Sequence, residues 1–265
     1  MKVWSGSAWA EKPVKVWSGS AWVTKPTKVW NGSAWVVKPA VGGGAIALVG
    51  AVQRGTQSYP GSNNYNFTVD VGSGAGRKIG VLAVASHQGT TGISACTLDP
   101  AGANVALTVA DTMGGGLGGG GAAAFYGNVP DAVTGSKTIR IVVNEDWANM
   151  CAFQMHILTG ATFHGGDANS DASSPNNANV AIASIPAGSF IGALGITLDT
   201  TSYDNNGPFP VGDTPVYAEA TDQGFQYGSS YVLNSVGGSI SGLTLRNGTT
   251  ASNVANAIAA IAWKP

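Results

Sequence analysis

Charge is what this chain has least of: Asp, Glu, Lys and Arg make up 10% of its 265 residues, against 44% hydrophobic residues. That balance excludes a disordered, self-repelling chain, because the apolar fraction can build a core. Cysteine is scarce too. Cys96 and Cys151 are too few for a disulfide scaffold and read as buried thiols in strands. No apolar run is long enough to span a bilayer, so no membrane insertion is expected. The opening Met1-Lys2-Val3-Trp4 has neither the apolar segment nor the cleavage-like site of a secretory signal. No window forms a useful amphipathic helix; the nearest, 253–262, is equally consistent with a buried final strand. Catalytic motifs are missing as well. There is no Gly-x-Ser-x-Gly and no Cys-His constellation, and His87 and His156 read as strand-end or polar-face residues. The run Gly114–Gly121 lacks the Lys-Ser/Thr of a phosphate cradle and opens no helix.

What the chain does have is repetition. Lys2-Val3-Trp4-Ser5-Gly6-Ser7-Ala8-Trp9 returns at Lys15–Trp22 and at Lys28–Trp35, each copy followed by Lys-Pro. Six of the eight tryptophans lie in these copies: Trp4, Trp9, Trp17, Trp22, Trp30 and Trp35. Val-Trp, a Ser-Gly or Asn-Gly step and Ala-Trp form a hairpin signature, strongest at Asn31-Gly32. A two-residue turn at Ser5-Gly6 would set Trp4 opposite Ser7 and Lys2 opposite Trp9. A four-residue loop would set Trp4 opposite Trp9. Both put the two indoles and the lysine on one face. Lys-Pro ends each unit, since proline has no ladder donor and holds its predecessor extended. A lone hairpin is marginal in water. The indoles therefore ask for cover, from each other, from identical chains or from a partner, with a sugar-stacking platform as a further use.

Charge separates this arm from the rest. Residues 1–40 carry six Lys and one Glu, net +5, and the remainder carries net −6. A basic Trp-rich arm, with Lys2, Lys15 and Lys28 leading its copies, suits protein docking. It has no Arg and no dense basic run, so nucleic acid is not an expected partner.

Residues 40–44 read as a linker, and period-2 alternation dominates beyond it. Tyr65, Phe67, Val69 and Val71 alternate with polar residues, as do Ile139, Ile141 and Val143. Turns rich in Gly, Pro, Asn and Asp recur every eight to fifteen residues. The expected fold is all-β: tandem hairpins over 1–39, then one antiparallel two-sheet sandwich of jelly-roll type over 45–265. Long excursions are expected at 114–121, at 164–179 and at 199–215; the last carries Tyr203 and Phe209 as a candidate ligand loop.

The acidic residues offer two chemistries. Calcium could be held by Asp167, Asp171 and backbone carbonyls, with His164 near, but the spacing matches no established site. Asp199, Asp204, Asp213, Glu219 and Asp222 could supply a glycosidase pair, which needs a separation of roughly 5–9.5 Å. Acidic loop residues ordinarily keep loops solvated, so the expectation is no catalytic residues, no metal and no cofactor.

The tandem Lys-Val-Trp-Asn-Gly-Ser-Ala-Trp units beside Lys-Pro resemble N-terminal repeats of tailed-bacteriophage virion proteins of the minor tail, fibre or spike type, and of related gene-transfer particles. The body resembles the Gly/Ala-rich sandwiches of such virions in Arg77–Leu82, in Phe125-Tyr126 with Val129-Pro130, in Thr138–Val143 and in Leu158-Thr159-Gly160. The resemblance implies a non-enzymatic structural or adhesive role, assembled in the host cytoplasm into a virion. Residues 1–39 would contact tail, baseplate or head proteins. Homo-oligomerisation, in particular as a trimer, is expected because it would bury the indoles and cover exposed sheet edges, and the sandwich would project to contact a host surface glycan or neighbouring subunits. The runner-up functions are a head-decorating or carbohydrate-binding module and a polysaccharide depolymerase.

Overall fold

The structure, a computed structural model, describes residues 2–4, 9–11, 15–20, 22–24, 28–30, 35–37, 45–58, 60–86, 92–114, 120–144, 150–171, 177–186, 188–197, 218–222, 225–233, 240–248 and 256–265. Two compact units result: Met1–Gly44 with Pro265, and Ala45–Lys264. All regular structure among the described residues is β.

The first unit consists of three separate hairpins. They pair β1 (Lys2–Trp4) with β2 (Trp9–Glu11), β3 (Lys15–Trp17) with β4 (Trp22–Thr24), and β5 (Lys28–Trp30) with β6 (Trp35–Val37).

The second unit begins with ten strands. They are β7 (Ala47–Leu48), β8 (Gln53–Ser58), β9 (Asn64–Asp70), β10 (Lys78–Ser86) and β11 (Ile93–Leu98). Then come β12 (Val105–Ala106), β13 (Thr108–Met113), β14 (Gly121–Asn128), β15 (Ser136–Val143) and β16 (Met150–Thr159). One sheet runs β13-β14-β10-β16-β7, with β8 also on β16; its companion runs β12-β11-β15-β9. Because β12 and β13 are a single chain stretch that changes sheets at Leu107, these strands form a nested set. First pairs last (β8 with β16), then β9 with β15, β10 with β14 and β11 with β12, all antiparallel. A hairpin of strand pairs wound up in this way is a jelly roll.

The same wiring then recurs. The later strands are β17 (Thr162–Asp171), β18 (Asn177–Ile185), β19 (Phe190–Thr197), β20 (Ala218–Asp222), β21 (Phe225–Leu233), β22 (Ile240–Gly248) and β23 (Asn256–Lys264). Here β17 pairs β23, β18 pairs β22 and β19 pairs β21. β20 flanks β21 as β13 flanks β14, and β23 flanks β19 as β16 flanks β10. Residues 198–217, which fall in order where β11 falls in the first roll, lie outside the described residues. Local sequence echoes the wiring: Asn64-x-Asn66-Phe67-x-Val69 matches Asn177-x-Asn179-Val180-x-Ile182, and Ile79-Gly80-x-Leu82 matches Ile191-Gly192-x-Leu194. Two residues before each Ile-Gly sits a buried polar side chain bonded to the carbonyl three residues back. Arg77 Nε donates to Gly74 O at 2.6 Å, and Ser189 Oγ donates to Pro186 O at 2.7 Å.

The body is therefore two jelly-roll sandwiches in succession, where a single two-sheet sandwich was expected. Three apolar clusters separate four layers. Phe67, Ile141, Val81 and Phe153 fill the first roll. Leu82, Ala124, Phe190 and Trp263 lie between the rolls, and Val180, Ile182, Ile258 and Ala260 fill the second. The two middle sheets are buried on both faces, so β10 and β23 read as nearly continuous apolar runs, and β16 is buried from Met150 to Leu158 even at Gln154 and His156. Alanine and glycine dominate there because small side chains let sheets stack closely on both sides. Outer strand β9, by contrast, alternates buried and exposed positions.

The buried final strand expected near the C-terminus is present as β23, Asn256–Lys264, an interior strand of its sheet, and one other expectation is corrected. The start of the expected 164–179 excursion is the edge strand β17, whose glycines and Ala168 allow close approach: a methyl at Gly166 would meet Ala110 at 2.8 Å.

Candidate functional site

In each hairpin the tryptophans are directly opposed: Trp4 with Trp9, Trp17 with Trp22, Trp30 with Trp35. The loop is thus the four-residue one, and the two-residue Ser5-Gly6 turn is corrected. The leading lysines consequently oppose Glu11, Thr24 and Val37 in turn, so Lys2 is a diagonal neighbour of Trp9. The physical reason is cross-strand pairing, since an aromatic opposite an aromatic gains more than one opposite serine. Strand alternation places positions 2, 4, 9 and 11 on one face and positions 3 and 10 on the other. In the second copy Gly19 takes φ +98°, a left-handed conformation suited to glycine, and Trp17 is 53% exposed.

Of the remaining candidates, Tyr203, Phe209, Asp199, Asp204, Asp213 and His87 lie outside the described residues. Glu219 and Asp222 fall on β20. His164, Asp167 and Asp171 fall on β17. Among the described residues no group of three His, Cys, Asp or Glu is placed to hold a metal ion, and no helix is long and apolar enough to cross a membrane.

Among the described residues a seam of side chains lies between the two rolls, and the sequence marked none of them as a functional site. His156, expected on a polar face, is fully buried there, and its Nε2 accepts a hydrogen bond from Trp263 Nε1 at 2.8 Å. It is corrected for a simple reason: the face it shares with Gln154 would be wet on a single sandwich, but the second roll covers it. Burial pushes its pKa down to about 3, so the ring is neutral, accepts at Nε2 and carries its proton on Nδ1. Phe190 packs on the ring at 4.4 Å and Tyr231 stacks on Phe190 at 5.8 Å. Phe163 and Tyr126 stack on each other at 3.8 Å and meet Trp263 edge-on. Glycine makes room for the polar pair. A methyl at Gly80 would run into the His156 imidazole, and one at Gly192 would meet Gln154 Nε2 at 2.9 Å. The sequence signal, available in hindsight, is the repeated Ile-Gly step and a lone Trp263 in an alanine run.

Arg77 is the other organising group. Its buried guanidinium donates to the carbonyls of Gly74, Val71, Gly72, Pro130 and Asp131, joining the turn before β10 to the turn after β14. Cys96 and Cys151 are free and buried, and desolvation raises both thiols far above their ordinary range.

The class of protein is thus an all-β chain of tandem tryptophan hairpins followed by two jelly-roll sandwiches. No protein-family model and no curated protein matches it. Among solved structures it has a likeness to a chain in the atomic structure of Sulfolobus Turreted Icosahedral Virus, 10% identical, TM-score 0.30, covering 83% of this chain and 91% of that one. A second likeness is to the STIV MCP, 10% identical, TM-score 0.24, covering 81% and 97%. Similarity at that level carries no argument, and the fold assignment rests on strand pairing.

Proposed function

We propose that this is a non-enzymatic virion structural protein of a tailed phage or related particle, a short fibre, spike or minor tail protein. Residues 1–39 dock it to neighbouring virion proteins, and the paired jelly rolls form its rigid body. The observation that carries the reading is the hairpin register. Three copies set tryptophan opposite tryptophan on two-strand ribbons with three residues per strand. Such ribbons are too small to bury their own indoles, and their lysines suit an acidic partner surface. A four-layer body with both middle sheets enclosed fits a load-bearing part.

The test is assembly of particles from protein lacking residues 1–40. The shortened chain is expected to fold, since the body is its own compact unit, yet to be absent from purified particles. Incorporation at the full-length level would overturn the docking role.

Jelly rolls also serve lectins and capsids, which favours a carbohydrate-binding or head-decorating module as the second reading. Glycan-array binding that disappears with Trp17→Ala would support the carbohydrate form. A depolymerase would need carboxyls roughly 5–9.5 Å apart across a cleft. Asp111 and Asp167 instead spend an oxygen each on a backbone amide, Asp111 Oδ2 accepting from Ala168 and Asp167 Oδ2 from Ala181.

A further inference from the structure

We propose that the body is sealed against strand addition. In each roll, side chains of the first strand stand in for the missing neighbour of the second, so copies of the chain do not join edge to edge. A sheet edge presents a row of outward N–H and C=O groups, a ready template for another chain. β9 is such an edge, the last strand of the sheet β12-β11-β15-β9. Asn63 O and Val71 N both face β15 and the turn before it, Asn63 O accepting from Val143 N and Val71 N donating to Gly135 O. Backbone groups alternate sides along a strand, so Asn66, Thr68 and Asp70 turn theirs outward.

Two glutamines of β8 meet that edge. The Gln53 amide donates to Asp70 O and accepts from Asp70 N at 2.7 Å, the pair of bonds that a residue on a neighbouring antiparallel strand would make. Gln57 Oε1 accepts from Asn66 N at 2.9 Å. The main chain of both glutamines is meanwhile paired with β16, in the other sheet. Their side chains therefore carry the hydrogen bonding round the corner from one sheet to the next. The match runs in antiparallel step, which sets Gly55 level with Thr68. Phe153 takes the space beside Gly55: a methyl there would meet the ring at 2.9 Å, and the same ring packs on Phe67 of β9 at 4.5 Å.

The second roll repeats the device with a different residue. By wiring and by local sequence β17 answers to β8 and β18 to β9, and Ala181 falls where Thr68 falls. Asp167 of β17 accepts the Ala181 amide through Oδ2 at 2.6 Å. The edge of β17 is capped in turn, since Asp111 Oδ2 takes the amide of Ala168 at 3.0 Å. An incoming strand would have to displace these side chains to reach the backbone. The inference concerns residues 45–265 and stands whatever residues 1–39 bind.

The test compares the full-length chain with Gln53→Ala/Gln57→Ala. In dilute solution the variant should exchange the amide hydrogens of Asn66 and Asp70 about tenfold or more faster than wild type. On concentration its sedimentation coefficient should rise above that of wild type, with protection returning at Asn66, Thr68 and Asp70 as β9 of a second copy takes the vacated edge. Equal exchange at Asn66 and Asp70 in the two proteins would overturn the capping. Faster exchange with no added association on concentration would overturn the sealing role. Association that leaves those amides unprotected arises elsewhere and would overturn it too. Should the double variant fail to fold by far-UV circular dichroism, Gln57→Ala alone is read by the same measurements at Asn66.

Discussion

Acidification should weaken this protein through one buried ring. In the folded chain His156 is enclosed between the rolls with its pKa lowered to about 3, against 6.5 for the free side chain. The sign follows from proton counting. Between those two values the unfolded chain binds a proton that the folded chain refuses, so stability is fully present above pH 6.5 and drains away as pH falls toward 3. One such group costs about 2 kcal/mol by pH 5 and about 3 kcal/mol by pH 4. Other carboxyls add their own slopes, so the decisive comparison is with His156→Gln, whose amide oxygen can still accept from Trp263 Nε1. Urea unfolding midpoints at pH 7, 6, 5 and 4, followed by tryptophan fluorescence and far-UV circular dichroism, supply the data. Wild type should lose stability more steeply than the variant, by up to about 1.4 kcal/mol per pH unit within the window. Parallel curves for the two proteins would refute the burial argument.

Gly80→Ala should displace the same imidazole, since the added methyl has no other place to go; a loss of roughly 2–3 kcal/mol in chemical denaturation is expected. Arg77→Met should cost about 4 kcal/mol, because five carbonyl contacts lose their donor at once. Arg77→Lys, with a differently shaped head, should recover only part of it. Cys96 and Cys151 should resist a thiol-specific reagent in the native protein at pH 8 and both react in denaturant; fast native labelling would show that the first roll opens readily.

How much of this was legible depended on which layer a strand occupies. β9 and β15 announce themselves because one face meets the core and the other meets water, so Tyr65, Phe67 and Val69 or Ile139 and Ile141 alternate with polar neighbours. β10 and β23 have apolar company on both sides and lose that period, whereas β16 keeps it, with Phe153, Met155 and Ile157 alternating with Ala152, Gln154 and His156; Ala257–Trp263 could be a helix or a strand on pattern alone. β17 was illegible for the opposite reason. Its Thr, His, Asp, Asn and Ser residues look like loop, yet it is an edge strand whose contact with the next sheet is made by Gly166 and Ala168. The hairpins were legible as hairpins from their Gly steps. Their register was not, since Ser-Gly-Ser-Ala accommodates either loop length and only tryptophan pairing selects one.

The nested pairing has a consequence for how the chain is made. β8 has no partner until β16 is synthesised, and β17 none until β23, so each roll closes only with its last strand. Two residues separate β16 from β17, so the first roll can finish as a unit while the second is still emerging. During that interval Leu82, Val84, Ala122 and Ala124, later enclosed beneath β23, face water on a completed sheet. A ribosome-bound chain at this stage presents a broad apolar wall that only its own unfinished half is shaped to cover. The pace of translation between β17 and β23 therefore sets how long that wall stands open to the wrong neighbour.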